Sequence, residues 1–141
     1  MQLKDIMAKR VVTVTEDESV FNAANLMRQA SIGCLVIAWA GKAKGIITDR
    51  DLAIRCLSEG HNSTLCPVSK HMSTPVITAG PDMDVLYAAH LMTNKKIKRL
   101  PVVEGEDQQL VGLVSFSDIA NAMMQPMMHL LAGLGASRRA A

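Results

Sequence analysis

Two short stretches hold side chains that can do chemistry together: Thr48, Asp49, Arg50, Asp51, and later Ser115, Phe116, Ser117, Asp118. Each follows a glycine and a brief apolar run, Gly45 to Ile47 and Gly112 to Val114, and each precedes an apolar helical pattern. A hydroxyl three residues ahead of an acid is the spacing of a capping box. The hydroxyl accepts from an unpaired amide of the first helical turn, and the acid reaches back to the cap's own N–H. The same place has a second use, because those amides and the positive end of the helix dipole attract phosphate, while an aspartate accepts from a vicinal diol such as ribose. Either copy alone reads as a cap. Two copies at matching places favour a ligand cradle.

The elements that position these stretches repeat as well. Val11 to Thr15 is a β-branched run of strand length, and Asp17 offers an N-cap to a helix over about Glu18 to Gln29. That helix places Val20, Ala23, Ala24 and Met27 on one stripe. Cys34 to Trp39 and Gly45 to Thr48 predict a hairpin across Ala40 to Lys44, and a second helix from about Arg50 stops at Gly60. After the connector His61 to Pro67 the pattern restarts, offset by 65 residues: Met72 answers Met7, Asp82 answers Asp17, and Val85, Ala88, Ala89 and Met92 repeat the stripe. Past the second hairpin the offset is 67, two extra residues falling in the turn Glu104 to Gln109. Leu100 to Val103 supplies its strand, and a helix from about Ser117 carries Ile119, Ala120, Met123 and Met124.

The reading is an α/β (α+β) chain of two β-α-β-β-α repeats, 1–62 and 63–125, followed by a C-terminal helical extension over 126–141 in which Pro126 breaks or restarts a helix. A unit of about 60 residues closes a core poorly alone, so the repeats are expected to pack about a pseudo-twofold axis.

Composition sets bounds on function. With 49% hydrophobic residues in 141 there is ample material for a core, but only 3% aromatics, so no platform for stacking single-stranded bases. A net charge of +2, scattered along the chain, argues for neither a nucleic-acid nor a membrane surface. No apolar h-region opens the sequence and no run approaches a membrane span, so a cytoplasmic protein is expected. Cys34, Cys56 and Cys66 lack the close doublets of a zinc site and are read as reduced thiols. His61, Cys66 and His71 share the connecting segment and could hold a metal together, but are read as solvated or packed residues, and no metal ligand is assigned. His90 sits beside the stripe of its helix as a packed or half-exposed residue. No nucleophile elbow, P-loop or Ser, His, Asp arrangement points to an enzyme.

The ordered set of motifs resembles a tandem pair of CBS domains, the modules named after cystathionine beta-synthase, whose paired form is called a Bateman module. The resemblance covers about Lys4 to Met124 and rests on Met72 to Val76, on Arg99 to Val103, and on both glycine-to-aspartate stretches. It implies a regulatory unit that binds adenosine-containing molecules (AMP, ADP, ATP, S-adenosylmethionine or dinucleotides) in two clefts between the repeats and needs no cofactor. Asp51 and Asp118 would hold the ribose diols, while Thr48 in one cleft and Ser115 with Ser117 in the other would contact ribose or phosphate. The base would lie against Met7, Arg10, Val12, Ile32 and Cys34 in the Asp118 cleft, and against Met72, Pro75, Ile77 and Ile97 in the Asp51 cleft. Lys98 and Arg99, basic residues ahead of the second strand, would reach phosphates.

The first copy departs from the second. It has Gly33 and Cys34 where the second has Lys98 and Arg99, Val36 where the second has Pro101, and Asp49, partly offset by Arg50, beside Thr48. The Asp118 cleft is therefore expected to be the better site for a phosphorylated ligand. The alternative expectation is an interaction module without a small molecule, since such pairs commonly form homodimers through their helices, here with Met123, Met124, Met127 and Met128. A separate effector protein would receive the signal.

Overall fold

The computed structural model describes residues 1–140, with backbone alone for 137–140. The chain runs α1 (Leu3–Ile6), β1 (Thr13–Val14), α2 (Val20–Ala30), β2 (Cys34–Trp39), β3 (Lys42–Thr48), α3 (Asp49–Asp51) continuing into a wide helical segment (Leu52–Leu57), a 3-10 turn (Val68–Lys70), α4 (Val85–Lys95), β4 (Arg99–Glu104), β5 (Gln109–Ser115) and α5 (Phe116–Ala140). The hairpins β2–β3 and β4–β5 meet where Lys42 pairs with Gln109, giving one five-stranded sheet in the order β1-β2-β3-β5-β4. Each hairpin turns on residues at positive φ: Ala40 and Gly41 in the first, Gly105 and Gln108 in the second. This tight turn lets β3 start at Lys42, three residues before the expected Gly45.

Several helix starts differ from the sequence expectation for a local reason. Asp17 is taken by the Thr15 hydroxyl, 2.5 Å away, so Ser19 caps α2 instead, its side chain accepting from the Asn22 amide at 3.1 Å. In the second repeat Asp82 is held by Lys4 at 2.7 Å and Asp84 caps α4. The first strand of the second repeat shrinks to a single parallel bridge, Ala79 with Val102. Pro126 does not end a helix. It withdraws one N–H inside α5, which runs through it from Phe116 to Ala140. Of the expected C-terminal extension, 126–140 continue α5 and residue 141 lies outside the described residues.

The halves are interlocked by their lead-in segments. The core of the first half, built on Leu35, Ile37, Ile47 and Val20, also contains Cys66 and Val68 from the connector, with Met72 packed against it. The core of the second half, built on Leu100, Val102, Val114 and Met92, contains Leu3, with Ile6 and Met7 against it. Leu3 and Val68 are equivalent positions, and both are fully buried. Each repeat thus lends its entry segment to the core of the other, so neither half is complete alone. Backbone bridges fix the exchange: Ala8 with Leu113 on β5, and Ser73 with Ile46 on β3.

Candidate functional site

The sites build upward from the two helix heads. At the first, the Thr48 hydroxyl accepts from the Asp51 amide at 3.2 Å while Asp51 Oδ2 accepts from the Thr48 amide at 2.9 Å. At the second, the Ser115 hydroxyl accepts from the Asp118 amide at 3.1 Å, and Asp118 Oδ2 accepts from the Ser115 amide at 2.8 Å and from its hydroxyl at 2.6 Å. The capping box is therefore realised in both copies, and one oxygen of each aspartate is committed to it. The remaining oxygens differ. Asp51 Oδ1 lies 3.6 Å from Arg55 Nε, whereas Asp118 Oδ1 has no hydrogen-bond or ion-pair partner among the described residues.

The residue before each second strand is clamped to its helix head. The Phe116 amide donates to the Lys98 carbonyl at 3.0 Å, and the Asp49 amide to the Gly33 carbonyl at 3.0 Å. Arg99 lies opposite Ser115 in the β4–β5 ladder, as Cys34 lies opposite Thr48 in β2–β3. The second head thus collects Ser115, Ser117, Asp118, Lys98 and Arg99 in one place, with two cations and one anion. The first collects Thr48, Arg50, Asp51 and Asp49, with Gly33 and Cys34 where the cations would be. A Cβ on Gly33 would lie 2.9 Å from Oδ2 of the exposed Asp49 side chain, so the two positions are close neighbours.

The entry segments cross to the opposite heads. Met7 lies over Gly112 and Met72 over Gly45, each in a place that a Cβ on the glycine would contest. Met7 is thus set on the strand leading to Ser115 and Asp118, and Met72 on the one leading to Thr48 and Asp51. Arg10 and Pro75 are exposed, with Pro75 following a cis peptide bond, and Ile32 is exposed at the end of α2. Val12, Ile77 and Ile97 are half-buried, the first against the core of the first half and the others against that of the second. Cys34 is buried, and that burial pushes its thiol up to about 11, with Arg99 working against the shift and Asp51 and Asp49 adding to it.

Phe116 lies beside the expected site residues without being one of them. It is 45% exposed at the second helix head, where the first head has Asp49, and an exposed aromatic in a chain this poor in aromatics was the available signal. Cavities point elsewhere. A depression of about 390 Å³ is lined by Lys9, Thr13, Trp39 and Leu110 among others, and one of about 380 Å³ by Phe21, Leu52, Ala53 and Leu57 with their neighbours. The first lies at the junction of the two hairpins and the second on the helical face of the first repeat. Neither contains Asp51 or Asp118. Hydrogen-bond geometry is what marks the helix heads.

Two further features stand out. His71 is the one buried polar or charged side chain among the described residues, set against Cys66. And α5 exposes Met123, Met124, Met127, Met128, Leu130, Leu131 and Leu134. No described helix is long and apolar enough to cross a membrane.

Comparison with known proteins places this geometry. The CBS domain family matches twice, over residues 3–57 and 68–125. A CBS domain-containing protein of Bacillus subtilis, YhcV, is 37% identical over 118 residues, 84% of this chain and 82% of that one. The CBS domain pair of protein MJ0100, solved in complex with 5'-methylthioadenosine and S-adenosyl-L-methionine, superposes with a TM-score of 0.79 at 31% identity, covering 87% of this chain and 95% of that one. Hypoxic Response Protein I, solved with two coordinated zinc ions, superposes with a TM-score of 0.77 at 28% identity, covering 86% of this chain and 98% of that one.

Proposed function

The chain belongs to the CBS domain family as a tandem pair, a regulatory module, and on that premise we propose that it senses an adenosine-containing ligand (AMP, ADP, ATP, S-adenosylmethionine or a dinucleotide) at the paired helix heads. The observation that carries this reading is the state of Asp118. Its Oδ2 is consumed by the cap of α5, which fixes the carboxylate in direction, while Oδ1 is left for an outside donor pair. A ribose diol supplies such a pair. Lys98 and Arg99 stand at the same head, so a phosphate attached to that ribose would find positive charge, and Phe116 offers an apolar face to a base. The adenosyl ligands held by the MJ0100 pair, similar over nearly its whole length, support the ligand class.

Asp51 is the weaker site on the same reasoning. Arg55 already neutralises its second oxygen, and Asp49 sets a negative charge where a phosphate would approach. The base would lie beside Met7, Arg10, Val12, Ile32 and Cys34 at the Asp118 head, and beside Met72, Pro75, Ile77 and Ile97 at the other.

A screen of thermal unfolding against adenosine, AMP, ADP, ATP, S-adenosylmethionine and NAD tests the proposal, because a ligand of the folded state alone raises Tm by mass action. At least one compound should raise Tm in a concentration-dependent way. No shift from any of them at millimolar concentration would sink the reading.

A second reading, a homodimerisation or protein-interaction module, is favoured by the apolar residues that α5 leaves exposed. The two are compatible if the ligand-bearing pair dimerises through its helices and passes its signal to a separate effector, in the cytoplasm. Sedimentation of the full chain distinguishes them: a dimer whose stability ignores every adenosyl compound supports interaction alone.

A further inference from the structure

Four side chains capable of binding a soft metal recur at intervals of five residues: Cys56, His61, Cys66 and His71. The fold brings them together. Cys56 closes the wide helical segment after α3, where the His61 amide reaches back five residues to the Cys56 carbonyl at 3.1 Å. The connector then folds over the first core, with the Cys66 amide on the Asn62 carbonyl at 3.0 Å and the His71 amide on the Val68 carbonyl at 3.0 Å. Cys56 Sγ, Cys66 Sγ and a ring nitrogen of His71 lie within 4.8 Å of one another. His61 Nδ1 stands at the solvent side of these three, 3.8 Å from Cys66 Sγ and 3.5 Å from His71 Nε2 but outside the 4.8 Å set, and would have to move toward Cys56 to become a fourth ligand.

These separations fit a metal better than they fit a packed core. Zinc bonds of about 2.3 Å to sulfur and about 2.0 Å to nitrogen put the ligand atoms of a tetrahedron roughly 3.3–3.8 Å apart. Two of the three His61, Cys66 and His71 separations already fall there; the third, Cys66 Sγ to His71 Nε2, is 2.8 Å and would open as a metal entered. Cys56, Cys66 and His71 are 1%, 7% and 3% exposed, while His61 is exposed and caps the cluster from solvent. An imidazole and two thiols gathered in an otherwise apolar core bury polar atoms that aliphatic side chains would not, and a metal turns that cost into bonds.

We propose that Cys56, Cys66, His71 and His61 form a four-coordinate site for a soft divalent metal, zinc foremost, that staples the connector 58–67 to the first half. Thiolate and imidazole donors in tetrahedral array select zinc over hard cations. On binding, the two thiols lose their protons to solvent and both imidazoles bind as neutral rings. Nothing is oxidised or reduced. The site abuts the first helix head, since Arg55 donates to the His71 carbonyl at 3.1 Å and also approaches Asp51.

The test uses the full chain without a polyhistidine tag, reduced and stripped with a chelator, and titrated with Co²⁺ in place of zinc. The expected result is one cobalt per chain, with a thiolate-to-cobalt charge-transfer band in the near ultraviolet and the visible bands of a tetrahedral ion, all erased by one equivalent of Zn²⁺. In weak buffer near neutral pH about two protons should appear per metal. Cys56→Ser and Cys66→Ser should each weaken the charge-transfer band, their double variant should abolish it, and Cys34→Ser should leave it unchanged. Absence of the band in the reduced parent chain would overturn the proposal without recourse to any variant. So would its survival in the double variant.

Discussion

Met7 of the first repeat lies so close over Gly112 of the second that a single methyl group on that glycine would collide with its side chain, and Met72 stands in the same relation to Gly45. These two crossings hold the entry segment of each repeat on the sheet of the other. Overpacking at such a contact costs about 1–3 kcal/mol. Gly112→Ala and Gly45→Ala are each expected to lose stability of that order in urea unfolding. Combining Gly112→Ala with Met7→Ala should cost less than the sum of the two, because the offended sulfur is gone, although the Ala8 carbonyl 3.2 Å away keeps the rescue partial. Strict additivity would show that the crossing is not the contact that matters.

Gly33 carries a related prediction with a steric cause. A Cβ on Gly33 would meet only the exposed Asp49 carboxylate, which can swing aside, so Gly33→Ala should cost little in the wild type and nothing in an Asp49→Ala background, where the carboxylate is absent. Paired denaturation midpoints read this directly. Equal losses in both backgrounds would place the constraint on the backbone instead.

Cys34 predicts a pH dependence. Burial raises its thiol from 9.0 to about 11, so the folded state holds the proton more tightly than the unfolded one. Its contribution to stability is therefore fully present below about pH 9 and is lost as the pH climbs toward 11. The stability difference between the wild type and Cys34→Ala should shrink across that window. The same thiol should resist alkylation near neutral pH in the folded chain, since thiolate is the reactive form. Rapid alkylation of Cys34 in the folded protein would contradict its burial.

The caps should be separable from ligand binding. Ser115→Ala removes the acceptor for the Asp118 amide and is expected to cost about 0.5–2 kcal/mol in urea unfolding. Asp118→Asn keeps an oxygen for the Ser115 amide but drops the charge, so it should be milder in stability and severe in binding. The reverse order would make Asp118 a structural residue only.

Much of this was legible in the residues. The offsets of 65 and 67 aligned Met7 with Met72 and Asp51 with Asp118, and the two hairpins and helix heads stand where that alignment put them. What was missed came from competition and from distance along the chain. Asp17 and Asp82 look like helix caps, but Thr15 and Lys4 hold them, and Ser19 and Asp84 do the work. Pro126 looks like a stop, yet one missing hydrogen bond does not end a helix of 25 residues. The exchange of entry segments between cores is invisible in a linear pattern, because Leu3 and Val68 have the same apolar character whichever core they join. In the sequence Cys56 is one reduced thiol among three, and only the fold shows that it clusters with residues ten and fifteen places on.

The claim that carries the rest is that Asp118 receives a ribose, and isothermal titration of the wild type, Asp51→Ala and Asp118→Ala with AMP, ATP and S-adenosylmethionine tests it most directly. The account predicts saturable binding to the wild type that Asp118→Ala abolishes or weakens severely and Asp51→Ala alters less. Binding that survives Asp118→Ala unchanged, or that Asp51→Ala alone removes, would contradict it.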